Sequence, residues 1–140
     1  LLRKHNAIIR KQLMSYDGRE VKHTGDGIMA SFYNADKALD FAVRVQEEFF
    51  NFNKSNDSYD ELEIKIGFHC GHPVEENNDL FGTSVQIASR VCDHAKANQV
   101  LLTEETKYHC KGKNYKMNHL EDANLKGVNK LIALYEVSSK

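Results

Sequence analysis

Residues 18–32 read GREVKHTGDGIMASF and constrain the chain more than any other stretch. Two short runs of alternating apolar and polar residues flank a Thr-Gly-Asp-Gly centre. Successive strand side chains point to opposite faces, so each run offers one face to a core and one to solvent. Gly and Asp supply the backbone geometry of a tight turn. The pattern predicts a β-hairpin with Asp26 at its tip and Lys22 on its first strand. A carboxylate at a glycine-bounded tip suits a hard cation. The same Asp-Gly pair also makes an ordinary turn. At about 3.3 Å per residue, Lys22 and Asp26 stand roughly 13 Å apart, too far to hold one small ion together. They fit opposite ends of a nucleotide, or two separate sites of a dimer.

A helix precedes the hairpin. Leu2, Ile9 and Leu13 recur at helical spacing, and Asp17-Gly18 stops the helix near Tyr16. After the hairpin, Asn34 is placed to cap a second helix. Ala35, Ala38, Leu39, Ala42, Val43, Phe49 and Phe50 trace its apolar stripe. Residues 51–61, rich in Asn, Ser and Asp, read as a loop. Leu62, Ile64, Ile66, Phe68 and Cys70 alternate with Glu63, Lys65, Gly67 and His69, which predicts one long strand over 62–70. Residues 71–78 read as an extension and turn. A further helix starts near residues 81–82. It places Val85, Ala88, Cys92 and Ala95 on one face, and Gln86 and Arg90, at i and i+4, together on another. Residues 99–102 form a short buried strand. Thr103 caps a short helix whose first turn holds Glu104 and Glu105. Strands follow around 115–120 and 131–137, with Leu125-Lys126-Gly127 between them. The order predicts an α+β sandwich in one domain, without internal repeats.

The 140 residues suffice for one buried core. With 19 basic and 20 acidic residues the net charge is -1, which gives no support to non-specific nucleic-acid binding. No apolar run approaches the roughly 20 residues that span a bilayer, and there is no signal-peptide pattern. Cys70, Cys92 and Cys110 are odd in number and lack CxxC spacing, which fits a reducing compartment without a disulfide framework. Cys70 and Cys92 fall on apolar stripes and read as core thiols. A cytoplasmic location is expected.

Two clusters carry possible chemistry beside the hairpin. Asp79, Gln86 and Arg90 suit a base, a ribose and a phosphate, because the planar guanidinium gives phosphate two parallel charge-assisted hydrogen bonds. By themselves they also read as a polar helix face. His69-Cys70-Gly71-His72 offers possible metal ligands, but alternation puts His69 and Cys70 on opposite faces, so a structural role is favoured over zinc. The glycines form neither a Walker A loop nor a dinucleotide fingerprint.

Taken together, these stretches resemble the class III adenylate/guanylate cyclase catalytic domain. EVKHTGDGIMASF at 20–32 resembles the hairpin that carries a metal aspartate. DLFGTSVQIASRV at 79–91 resembles the dimer-interface helix segment. LKGV at 125–128 and LYEV at 134–137 resemble the closing strands, and HNAIIRK at 5–11 the helix before the hairpin. The resemblance implies a ferredoxin-like α+β sandwich of the nucleotide cyclase type. It implies a head-to-tail homodimer with a second cyclase domain and active sites shared across the interface. The implied reaction converts a nucleoside triphosphate to the 3′,5′-cyclic nucleotide and pyrophosphate for intracellular signalling, with two Mg²⁺ or Mn²⁺ ions.

Residue by residue, the resemblance matches Asp26 to the second of two metal aspartates. Lys22 and Asp79 match the pair that reads adenine, where guanylate cyclases resemble Glu and Cys, so ATP is favoured over GTP. Arg90 matches the arginine that stabilises charge on the reacting phosphate, and Lys126 a lysine on the terminal phosphates. Gln86 stands where many members have an asparagine that orients the ribose. The first strand, with its D-x-x-G-F-T-like stretch and first metal aspartate, has no counterpart in this chain. The expectation is a cyclase domain incomplete at its N-terminus and inactive alone. A sheet edge left by the missing strand would seek another strand through non-native dimerisation or strand exchange. The alternatives are an inactive cyclase-homology module binding nucleotide or a regulatory partner, and a ferredoxin-like nucleic-acid-binding domain, which the balanced charge disfavours.

Overall fold

The structure is a computed structural model and describes residues 2–23, 27–55, 61–71, 74–76, 79–111 and 115–139. The chain divides into two compact units, residues 1–64 and 65–140.

The first unit opens with α1 (Leu2–Ser15), followed by β1 (Arg19–His23), β2 (Ile28–Ser31) and α2 (Ala35–Ser55). The predicted stop of α1 has a backbone cause. Asp17 takes a left-handed φ of 60°, and Gly18 N–H donates to the Leu13 carbonyl at 2.8 Å, closing the helix with a Schellman-type bond. Strands β1 and β2 pair antiparallel, Lys22 facing Met29, with a bulge between Glu20 and Lys22. The hairpin is therefore as expected, but its tip, including Asp26, lies outside the described residues. Asn34 caps α2 as predicted, its Oδ1 accepting from Lys37 N–H at 3.0 Å. Leu39, Ala42, Val43 and Phe49 are buried along α2, whereas Phe50, expected on that stripe, is exposed.

Two boundaries differ from the sequence expectation for one shared reason. Helix α2 continues to Ser55, into the segment read as a loop, and residues 61–65 are not paired as a strand. Asn53, on the added turn, accepts from Leu62 N–H at 2.8 Å and donates to the Leu62 carbonyl at 2.7 Å. Gln46 Nε2 donates to the Ile64 carbonyl at 3.0 Å. Side chains of α2 thus take backbone groups that a strand partner would otherwise satisfy. Leu62 stays buried and Glu63 exposed, so the alternation holds without the ladder.

The second unit contains β3 (Ile66–Phe68), β4 (Val74–Glu76), β5 (Asp79–Phe81), α3 (Thr83–His94), β6 (Val100–Thr103), α4 (Glu104–His109), β7 (Tyr115–Ala123) and β8 (Ile132–Ser139). The main sheet has the order β3-β6-β8-β7, with β3 and β6 parallel and the other pairs antiparallel. Strand β3 thus stands at the edge of that sheet among the described residues. Residues 71–78, read as an extension and turn, include a strand: β4 pairs with β5, and Phe81 ends β5 instead of opening α3. All four residues of β6 are buried, as a strand covered on both faces should be. The core joins Ile87, Val91 and Ala95 of α3 to Leu101, Ala123, Leu125, Ile132 and Leu134. The buried stripe of α3 therefore runs through Ile87 and Val91, not through Val85 and Cys92 as the sequence suggested. Cys70 and Cys92, read as core thiols, are free thiols only half-buried, and Cys110 is likewise a half-buried thiol. Among the described residues no helix is long and apolar enough to cross a membrane.

Helix α3 lies against β3 at very close range. A Cβ on Gly67 would fall 2.3 Å from the Cys92 backbone nitrogen and 2.6 Å from its Cα. These are backbone atoms, so only a shift of the whole helix would make room. Gly67→Ala is expected to lower stability by about 1–3 kcal/mol, the usual cost of overpacking a filled interior. A fall in the urea unfolding midpoint of the purified chain checks it.

Candidate active site

Because Ile87 and Val91 turn into the core, Gln86 and Arg90 are carried on the flank of α3. Gln86 is exposed and Arg90 half-buried. The Arg90 guanidinium reaches Asp93 only loosely, Nη1 to Oδ2 at 3.4 Å, and its Nε is buried with no hydrogen-bond partner among the described residues. An unsatisfied buried donor costs about 1–3 kcal/mol. The fork is therefore oriented by the helix but not saturated by its contacts among the described residues.

Between β7 and β8 the chain makes a tight turn at 125–128. Leu125 is buried, and Val128 N–H donates to the Leu125 carbonyl at 3.0 Å. Lys126 and Gly127 are the central pair, with Gly127 at φ 80°, the positive angle that a type II turn requires at its third residue. Lys126 is exposed at the corner. A Cβ on Gly127 would fall 2.7 Å from Gln86 Nε2. The Gln86 amide therefore sits against the turn that carries Lys126, with Arg90 one helical turn along α3. Gln86, Arg90 and the Lys126 turn belong to one surface of the second unit.

The remaining predicted residues are placed individually. Asp79 opens β5, which leads through Gly82 directly into α3; its side chain is outside what the structure describes. Lys22 is exposed on β1 of the first unit. Asp26 lies outside the described residues. Among the described residues no group of three or more His, Cys, Asp and Glu side chains could hold a metal ion. A carboxylate such as Asp26 suits Mg²⁺ or Mn²⁺ by hardness, but one carboxylate is not a site. Asp26, the carboxylate matched to such an ion, is not among those described residues.

His69 and Cys70 have a structural role, as favoured, although not on opposite faces. They follow β3 and converge on the cap of α4. His69 Nδ1 and Thr103 Oγ1 are 2.8 Å apart, and Thr103 Oγ1 and Thr106 Oγ1 are 2.9 Å apart. The Cys70 thiol also hydrogen-bonds Thr106. His72 is outside the described residues. The sequence signal for this network was Thr103 and Thr106 at i and i+3 around a helix start. The contact between Gln86 and Gly127 was the feature missed; its only trace in the sequence is the glycine after Lys126.

Residues 1–138 match the adenylate and guanylate cyclase catalytic domain. The chain belongs to that family. An adenylate cyclase of Mycosarcoma maydis is 30% identical over 74% of this chain, and one of Lachancea kluyveri 31% over 74%. The chain spans only 5% and 7% of those two proteins. The fold agrees with solved cyclases. An adenylate/guanylate cyclase/hydrolase from Silicibacter pomeroyi superposes with a TM-score of 0.87 at 21% identity, covering 98% of this chain and 84% of that one. The adenylyl cyclase of P. aeruginosa gives 0.84 at 19% identity, covering 99% and 81%. The α+β expectation is thereby met.

The His69 side chain is only 7% exposed. Burial pushes its pKa down; Glu105 opposes this and Lys130 adds to it. A histidine held neutral in the fold takes up a proton more readily once unfolded. Its contribution is complete above the unfolded pKa of about 6.5 and is lost as pH falls through the lower folded value. The unfolding midpoint is expected to drop between about pH 7 and pH 5. The drop should be smaller in His69→Gln, as urea titrations at each pH would show.

Proposed function

We propose that the protein containing this chain converts ATP, in preference to GTP, to the 3′,5′-cyclic nucleotide and pyrophosphate, as a signalling enzyme of the cytosol. Membership of the cyclase family is the starting point. The observation that carries the reading further is the α3 surface: an incompletely satisfied Arg90 fork, an exposed Gln86, and the Lys126 corner against it.

In this reaction the ribose 3′-oxygen attacks the α-phosphorus, the bond to the β-phosphate bridging oxygen breaks, and the hydroxyl proton leaves to solvent. Negative charge grows on the reacting phosphoryl oxygens and on the leaving pyrophosphate. Arg90 is assigned to the first, where its two donors stabilise the transition state more than the ground state. Lys126 is assigned to the terminal phosphates as a mobile point charge. Gln86 orients the ribose edge. Lys22 donates to the adenine ring nitrogen, and Asp79 accepts from the amino group. Asp26 is assigned to a divalent ion, Mg²⁺ or Mn²⁺, which would polarise the phosphate oxygens when bound. Lys22 and Asp79 would face guanine with the wrong donor and acceptor, which supports the choice of ATP. Two copies, head to tail, would share the residues of each site.

The test is cyclic nucleotide formation by the parent protein from ATP and GTP with Mn²⁺ or Mg²⁺. Arg90→Ala is expected to lower kcat by about 10²–10³-fold with little change in unfolding midpoint, the scale for losing a transition-state donor. Lys22→Glu with Asp79→Cys should shift the preference towards GTP. A parent that forms neither cyclic AMP nor cyclic GMP would refute the reading.

A further inference from the structure

We propose that Gln86 is a positioning residue for Lys126: its side-chain amide seats the turn at 125–128 and thereby sets where the lysine ammonium meets the substrate's terminal phosphates. The inference rests on the nucleotide reading above and assigns Gln86 a task beyond the ribose contact that the resemblance implies.

Three observations support it. First, the turn is anchored at its ends and not at its corner. Leu125 lies in the core with Ile87 and Val91, and Val128 packs against that core. Lys126 and Gly127 project beyond it, held within the turn by the Val128 to Leu125 hydrogen bond of 3.0 Å. Secondly, the contact made by the corner is with Gln86. The 2.7 Å separation between a notional Gly127 Cβ and Gln86 Nε2 means that a side chain at 127 would have to displace the amide. Thirdly, Gln86 directly precedes Ile87, which is buried in the same core cluster as Leu125. Its backbone is thus fixed by the same packing that anchors Leu125, and its side chain is the adjustable spacer between helix and corner.

Side-chain length is the variable. Asparagine at this position would withdraw the amide by one methylene and leave the corner unsupported. Glutamine reaches the glycine, and a larger residue at 127 would displace its amide. The Gln86 and Gly127 pair is therefore matched in size. Gly127→Ala should push the amide away in addition to straining a left-handed backbone. Gln86→Asn in the same chain should relieve the first effect and not the second.

The experiment measures binding of inorganic tripolyphosphate and of adenosine, separately, to the parent protein by calorimetry. Gln86→Ala is expected to weaken tripolyphosphate binding about three- to tenfold, the range for coupling between touching residues. It should have no further effect on tripolyphosphate in Lys126→Ala. Gly127→Ala should weaken tripolyphosphate, and Gln86→Asn should restore part of that loss. The Val128 amide should exchange with deuterium faster in Gln86→Ala. A Gln86→Ala variant that keeps its tripolyphosphate affinity would overturn the proposal, as would additive losses with Lys126→Ala or failure of Gln86→Asn to restore binding. If the unaltered parent protein binds neither probe, the nucleotide reading fails, and Val128 exchange alone decides the contact: faster exchange in Gln86→Ala upholds it and unchanged exchange refutes it.

Discussion

The second unit depends on one close approach. Helix α3 crosses β3 where Gly67 has no side chain, with the Cys92 backbone nitrogen at a distance that no Cβ would tolerate. This contact sets the height of the helix above the sheet. Ile87, Val91 and Ala95 then reach the same core as Leu101 and Leu134. Once those residues are committed to the interior, the helical period leaves no choice about Gln86 and Arg90, which must lie on the flank. The polar surface is a by-product of apolar packing. A glycine in a strand usually weakens it, through lost packing and backbone freedom. Here that cost is offset by the depth at which the helix is seated.

The flank is cationic although the chain as a whole is nearly neutral, with a net charge of -1. A reader of polyphosphate does not need a basic protein; it needs few charges in the right place. Arg90 has a buried Nε without a partner among the described residues, and Asp93 engages the guanidinium only at 3.4 Å. Such an arrangement is unfavourable for folding, and an unsatisfied buried donor calls for a reason beyond stability. The His69 network, with Thr103, Thr106 and Cys70, is its opposite: its polar atoms find one another at the start of α4. That contrast supports placing chemistry on α3 and architecture at α4.

Much of this was legible in the sequence, for particular reasons. The caps at Asn34 and Thr103 and the stop at Asp17-Gly18 rest on local hydrogen bonding, which short stretches encode fully. Gln86 and Arg90 were correctly grouped because i and i+4 spacing is a property of the helix itself. The long strand over 62–70 was misread because alternation reports which side chains are buried, not which backbone groups are paired. The partners there are the Asn53 and Gln46 side chains, remote in sequence. The α3 stripe was shifted by the same limitation. Val85 and Cys92 are as apolar as Ile87 and Val91, and only the position of the sheet decides between them. The size match of Gln86 with Gly127 depends on a turn some 40 residues away, which no local pattern contains.

The central claim is that the α3 surface of one copy completes a site whose metal carboxylate comes from another. Mixing two variants of the parent protein, Asp26→Ala and Arg90→Ala, tests it most directly. Each variant alone should form almost no cyclic nucleotide. In a random mixture about half the dimers are mixed, each with one of two sites intact, so the predicted recovery is roughly a quarter of the unaltered rate. A mixture no more active than the sum of its components would contradict the account.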